Sequence, residues 1–220
     1  KNDTEKNSKK RGNQENGKKA VTKPAPKPVA LELLYWNFRC LGDDWKRSLT
    51  LETLNLISGT TDTILLSETK FKKKLEIVDK NAFQTTLSSL GGAIALHSSS
   101  RAKLIKSLTE YFWTTDVHDG ALVNYVTVYI PPNGKGIAAL NIRRLKWILF
   151  RIFLIDKYSK VFVAEDLNRI EMKNSQFLEN HCHLTPVLSS KKATHKCGGH
   201  LDNVWTNLTI TGSEAITGLE

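Results

Sequence analysis

Short apolar runs that stop on an oxygen-bearing polar residue recur along this chain, and they constrain its fold more than any other feature. "LLYW" runs into Asn37, "ILLS" into Glu68, "NYVTV" into Tyr129 and "VFVA" into Glu165, Asp166 and Asn168, while "HLDNVW" carries Asp202. The runs are rich in β-branched and aromatic residues, as buried strands are. Strands lying side by side bring their terminal residues to one rim of a sheet. One polar residue at a strand end is ordinary; five such places carrying only Asn, Glu, Tyr and Asp point to a site.

Other segments supply the helices and turns. "SLTLETLNLIS" at 48–58 has Leu51, Leu54, Leu56 and Ile57 near helical spacing, and "GGAIALHS" at 91–98 reads as a strand after a Gly91–Gly92 turn. "GALVNYVTVYIPP" at 120–132 is a β-rich run closed by two prolines, which stop a strand. Residues 137–158 predict a helix with Leu140, Leu145, Ile148, Leu149, Ile152 and Ile155 on one face and Arg143, Arg144, Lys146, Arg151 and Lys157 on the other. A loop from 189 runs into a strand near His200–Trp205. Strands outnumber helices, and the mixture predicts a layered α/β sandwich. Trp36, Trp147 and Trp205 are expected in the core, with His97 and His118 as structural or surface residues.

The 220 residues suffice for one sizeable domain, but the charge is uneven. Residues 1–30 hold nine Lys/Arg against three carboxylates, a surplus of six in a formal net charge of +10. Val21 and Val29 are the large apolar residues there, so the segment predicts a disordered basic tail with a Pro-rich spacer, "KPAPKP". Such a tail suits phosphate backbones; it equally suits a solubilising linker. Residues 31–220 form the expected domain. Cys40, Cys182 and Cys197 show no paired spacing, which favours a reducing compartment, nuclear or cytoplasmic. The most apolar window, "WILFRIFLI", is interrupted by Arg151 and too short to span a membrane. "HCH" at 181–183 with His195, Cys197 and His200 lacks the spacing of structural zinc.

Carboxylates, carboxamides and a phenol on one rim suit metal-assisted phosphodiester hydrolysis. Mg²⁺ takes one or two carboxylates together with water and substrate phosphate, and Glu68 with Asn37 would supply that half. Asp166 could take a proton from the attacking water, with Asn168 holding the geometry, and Tyr129 could donate to a phosphate oxygen as charge develops.

"YWNFRCLG", "ILLSETK", "GGAIALH", "VNYVTVYIPP", "EDLN" and "THKCGGHLDNVWTN" stand in the order and spacing of the exonuclease–endonuclease–phosphatase superfamily. Over residues 33–210 the chain resembles most the apurinic-type endonuclease domain of non-LTR (LINE-like) retrotransposons. The resemblance implies a four-layer αββα sandwich of two mostly antiparallel sheets, and DNA nicking with Mg²⁺ or Mn²⁺ that leaves a 3′-hydroxyl to prime reverse transcription. It implies a covalently linked reverse transcriptase domain in the full-length protein. By resemblance Asn37 and Glu68 are metal-side residues and Tyr129 contacts phosphate. Asp166 and Asn168 position the water, and Asp202 orients a catalytic His. His195, Lys70 and Lys72 are expected beside the DNA.

Two departures stand out. Glu165 occupies the place where the family has Gly, putting a second negative charge where a phosphate should come. The family's closing Ser-Asp-His motif is absent after Asp202, which predicts truncation before that strand or a degenerate remnant that binds nucleic acid or protein without cleaving. An RNA 3′-exonuclease or a phosphoinositide phosphatase of the same superfamily is the further alternative.

Overall fold

The structure, a computed structural model, describes residues 31–37, 44–57, 60–67, 69, 83–88, 93–107, 111–129, 135–166, 172–187 and 202–213. The basic segment 1–30 lies outside them. In chain order the elements are β1 (Leu33–Asn37), α1 (Asp44–Ile57), β2 (Thr63–Ser67), β3 (Thr85–Ser88), β4 (Ile94–His97), β5 (Lys103–Ser107), β6 (Tyr111–His118), β7 (Ala121–Tyr129), α2 (Lys135–Ile155), β8 (Lys160–Asp166), α3 (Met172–Cys182), β9 (Thr185–Pro186) and β10 (Asp202–Thr206).

The strands form a four-stranded sheet in the order β1-β2-β4-β3 and a six-stranded sheet in the order β5-β6-β7-β8-β10-β9. β1–β2 and β7–β8 pair in parallel, and every other pairing is antiparallel. Parallel neighbours need a long crossover; α1 serves the first pair and α2 the second. The β6–β7 hairpin turns through Asp119 and Gly120, both at positive φ (49° and 79°), the backbone a two-residue turn of matching twist requires.

Alternation along each strand sends residues to opposite faces, and this sorts the core into three sets. Leu65, Ala95, Phe112, Val123, Tyr125, Phe162, Ala164 and Val204 pack between the sheets. Val126, Val128, Val161, Val163 and Trp205 face the other way, under Leu145, Ile148, Leu149 and Ile152 of α2 and Leu178 of α3. Ile64, Leu66, Ile94 and Leu96 face Leu54 of α1. The layers are therefore helix, sheet, sheet, helix, as the αββα expectation has it. β2 reads as an unbroken apolar run because both of its faces are covered. Each fully buried Leu or Ile contributes about 1.5–3 kcal/mol through burial.

Some expectations need correction. On α2 the buried arc is Asn141, Leu145, Ile148, Leu149 and Ile152, whereas Leu140 and Ile155 are exposed. The arc sits at the phase set by docking onto β7 and β8, which leaves those two residues outside it. Trp147 is 44% exposed rather than core; Trp205 is buried, and Trp36 is partly buried against the α1 layer. Strands β3, β5, β6 and β9 and helix α3 lie outside the sequence expectation. Cys182 is buried on α3, and burial pushes its thiol up to about 11.

Candidate functional site at the strand-end rim

Register decides where the predicted site residues fall. Tyr129, the last residue of β7, pairs with Asp166, the last of β8. Asp166 in turn pairs with Asp202, the first of β10. Three residues from distant parts of the chain thus stand abreast on neighbouring strands, about 4.8 Å from one strand to the next. In the other sheet Asn37, at the end of β1, pairs with Ser67, and Glu68 follows Ser67 in the chain.

The two sheets touch through β2 and β7. The Thr63 hydroxyl, at the start of β2, donates to the Tyr125 hydroxyl at 3.4 Å, and Tyr125 also meets His118 Nε2 at 3.0 Å, beside the β6–β7 turn. From there β2 continues through Leu65 and Ser67, both fully buried. It therefore runs back over the six-stranded sheet, towards the ends of β7 and β8. Ser67 ends β2 in the facing sheet, beside Asn37 at the end of β1. Strand parity relates the two sheets. Asn37 stands two residues beyond Tyr35, Asp166 two beyond Ala164, and Asp202 two before Val204, and those three neighbours all belong to the core between the sheets. The Ser67 hydroxyl is held by the Tyr35 hydroxyl at 3.0 Å.

Tyr129, Asp166 and Asp202 are therefore brought together as strand positions, while Asn37 ends β1 in the other sheet. Glu68, Asn168, Lys70, Lys72 and His195 lie outside the described residues, as do Cys197 and His200.

The structure resolves the puzzle of Glu165. One residue before Asp166, it has the opposite parity and belongs with Val161 and Val163, on the sheet face that α2 and α3 cover. It is buried, and its carboxylate accepts a 2.6 Å hydrogen bond from Trp205 Nε1. The charge feared at the phosphate is a structural carboxylate under the helix layer. The rule that successive strand residues face opposite ways was legible in "VFVAED" and would have placed it.

A second polar cluster escaped the sequence reading. At the far end of the sandwich, His97 and Asp116 are buried between the sheets. His97 Nδ1 lies 3.6 Å and His118 Nε2 3.3 Å from Asp116 Oδ2. Thr63 and Thr114 hydroxyls meet the two nitrogens of His97 at 3.2 and 3.4 Å. Burial drives the pKa of His97 down to about 4, against the pull of Asp116 and with a smaller push from His118. Burial alone would raise the Asp116 carboxyl, but hydrogen bonds from His118, the Val117 N–H and Ser99 bring it below its ordinary value. Burial also pushes the Tyr125 hydroxyl well up. Among the described residues no group of three or more His, Cys, Asp or Glu side chains is arranged to hold a metal ion.

No family model matches the sequence, and no curated protein matches it. Solved structures do match. A Bacteroides thetaiotaomicron protein described as endonuclease/exonuclease/phosphatase family aligns over 82% of this chain and 84% of its own, at 8% identity and TM-score 0.60. This chain has the endonuclease/exonuclease/phosphatase fold. The catalytic domain of human Nocturnin, solved with a bound sulfate anion, shares that fold over 80% of this chain and 82% of its own, at 14% identity and TM-score 0.61. So does the endonuclease domain of TRAS1, a telomere-specific non-LTR retrotransposon, over 80% and 85% at 10% identity and TM-score 0.55. Within this endonuclease/exonuclease/phosphatase fold, no helix among the described residues is long and apolar enough to cross a membrane.

Proposed function

We propose that this chain is a divalent-metal-dependent DNA endonuclease of the retrotransposon type. The observation that carries the reading is the register of Tyr129, Asp166 and Asp202 across three adjacent strand ends; in the facing sheet β1 ends in Asn37 and β2 leads into Glu68. The donor chemistry fits a hard cation: the carboxamide of Asn37, at the end of β1, and the carboxylate of Glu68, the residue that follows β2 in the sequence, would both ligate through oxygen. Glu68 and Asn37 would hold Mg²⁺ or Mn²⁺, which when bound neutralises the scissile phosphate and stabilises the leaving oxygen.

The chain's own residues do the rest. Asp166 accepts a proton from the attacking water, and Asn168 holds that water in line. A bond forms from the water oxygen to phosphorus and the bond to O3′ breaks, leaving a 3′-hydroxyl and a 5′-phosphate. Tyr129 donates a hydrogen bond to a non-bridging oxygen as charge builds there. Asp202 stands abreast of Asp166 and by resemblance is the Asp that orients a catalytic His. Lys70, Lys72 and His195 hold the duplex beside the rim.

Incubation with supercoiled plasmid and Mg²⁺, or Mn²⁺, tests the reading. Nicked circles that prime a polymerase directly are expected, with Asp166→Asn slowing nicking by about 10²–10⁴-fold at unchanged thermal stability. A chain that binds duplex but nicks it with neither metal overturns the proposal and leaves the nucleic-acid-binding remnant.

A further inference from the structure

The solvent side of α2 carries large apolar residues where a lone surface helix carries charge. Trp147, Phe150 and Leu154 are 44%, 63% and 70% exposed, and Leu140 lies one heptad before Trp147. Positions 140, 147, 150 and 154 fall on the heptad seam with which one helix packs on another, with Arg143 at the seam position between the first two. Beside the seam runs a cleft of about 330 Å³ between α2 and the edge strand β5, with Trp113 and Ile152 among its lining residues and Ile105 and Leu122 on its far side. Exposed apolar surface this continuous marks an interaction site.

Charge selects the occupant. α2 carries Lys135, Arg143, Arg144, Lys146 and Arg151 and no Asp or Glu. Lys103 and Lys106 stand on β5, and Lys106 lines the cleft. Lys106 and Arg151 each lie 4.9 Å from the Trp147 ring centroid, so two cations already flank the central aromatic. Asp156, the acid lining the cleft, caps the turn that follows α2 by accepting from the Tyr158 N–H at 2.9 Å. A second copy of α2 would set cation against cation, and the chain's own segment 1–30 carries a surplus of six positive charges. The described chain leaves from Ser213 next to Val187 and β9, at the opposite edge of the sheet from β5.

We infer that the α2–β5 face is a docking surface for an acidic amphipathic helix of a partner protein, whose apolar stripe lies along Trp147, Phe150 and Leu154 and whose carboxylates meet Arg143, Arg151 and Lys106. The concave cleft beside the seam favours an inserted side chain over a flat surface. The cleft is lined by Leu122 and Asn124, from the start of β7, and the candidate rim stands at that strand's other end. Docking therefore leaves the rim open, and the inference stands independently of the nuclease reading.

The test uses a fluorescent synthetic helix with a leucine stripe flanked by glutamates, and a twin with lysines in their place. Anisotropy should show saturable binding of the acidic helix, weakened by added salt and at least about tenfold by the paired variant Phe150→Ser/Leu154→Ser. The lysine twin should not bind. Both substituted positions are exposed, so thermal melting of the variant reports that the fold is intact. Equal binding of the two peptides, or unchanged binding by the variant, refutes the inference. So does a wild-type dimer in sedimentation that the variant abolishes. Retention on phosphatidylserine/phosphatidylcholine vesicles without peptide binding would assign the face to a lipid surface instead.

Discussion

Replacing His97 with Gln should flatten the acid side of this protein's stability profile. The ring is fully buried between the sheets, and its pKa falls from 6.5 in the unfolded chain to about 4 in the folded one. Between those values the unfolded chain binds a proton that the folded chain refuses. Stability from the neutral ring is therefore complete above pH 6.5 and is lost as the pH falls towards 4. Each unit of the gap corresponds to about 1.4 kcal/mol, so the loss amounts to about 3 kcal/mol. Asp116, whose carboxyl is held below its ordinary 3.8, adds stability that disappears only at still lower pH, outside this window. Urea unfolding of wild type and His97→Gln, at intervals from pH 7.5 to 4, measures the difference. Gln retains a polar partner for the Thr63 and Thr114 hydroxyls, so the variant should fold, less stable at neutral pH but lacking most of the decline. Parallel curves through pH 6.5 to 4 would refute the reasoning, because the buried ring could not then be the group that resists the proton.

Trp205→Phe keeps the buried ring but removes the donor from the Glu165 carboxylate, and should cost about 1–3 kcal/mol in chemical denaturation; nicking by the surviving folded fraction should be unchanged, because Glu165 faces the helix layer. Ile148→Ala, beneath α2, should cost about 2–5 kcal/mol, whereas Phe150→Ala two residues along should stay within about 0.5 kcal/mol, a contrast that paired thermal melts will show. Gly120→Ala should cost about 1 kcal/mol through backbone strain alone, since φ is 79° and no atom lies within 4 Å of the added methyl; a Gly120→Asn variant, better suited to that φ, should recover part of it in the same assay.

What could be read beforehand followed from local rules. Strand-end positions 37, 129, 166 and 202 were legible because buried strands in this chain are short, apolar and abruptly terminated. β6 was missed because "YFWTTDVH" has both faces covered, with Tyr111 and Trp113 under α2 and Phe112 between the sheets, so no alternation shows. The Asp119–Gly120 turn that closes its hairpin was nevertheless written in the sequence. Leu140, Trp147 and Ile155 were misplaced by treating apolar residues as buried ones, a rule that holds in one direction only. The His97–Asp116 cluster could not be read at all: it needs β4 laid against β2 and the two sheets pressed together, which no local pattern states.

The β6–β7 hairpin has a consequence for the order in which this protein assembles. Its eight paired positions close over a two-residue turn, so that ladder costs little chain entropy and can form early. Tyr129 meets Asp166 only after the whole α2 crossover is in place, and Asp202 joins only when β10 arrives from a further excursion of similar length. The rim is thus the last thing the six-stranded sheet completes. A chain halted before β10 can carry a stable hairpin and a helix-covered sheet while lacking the completed rim.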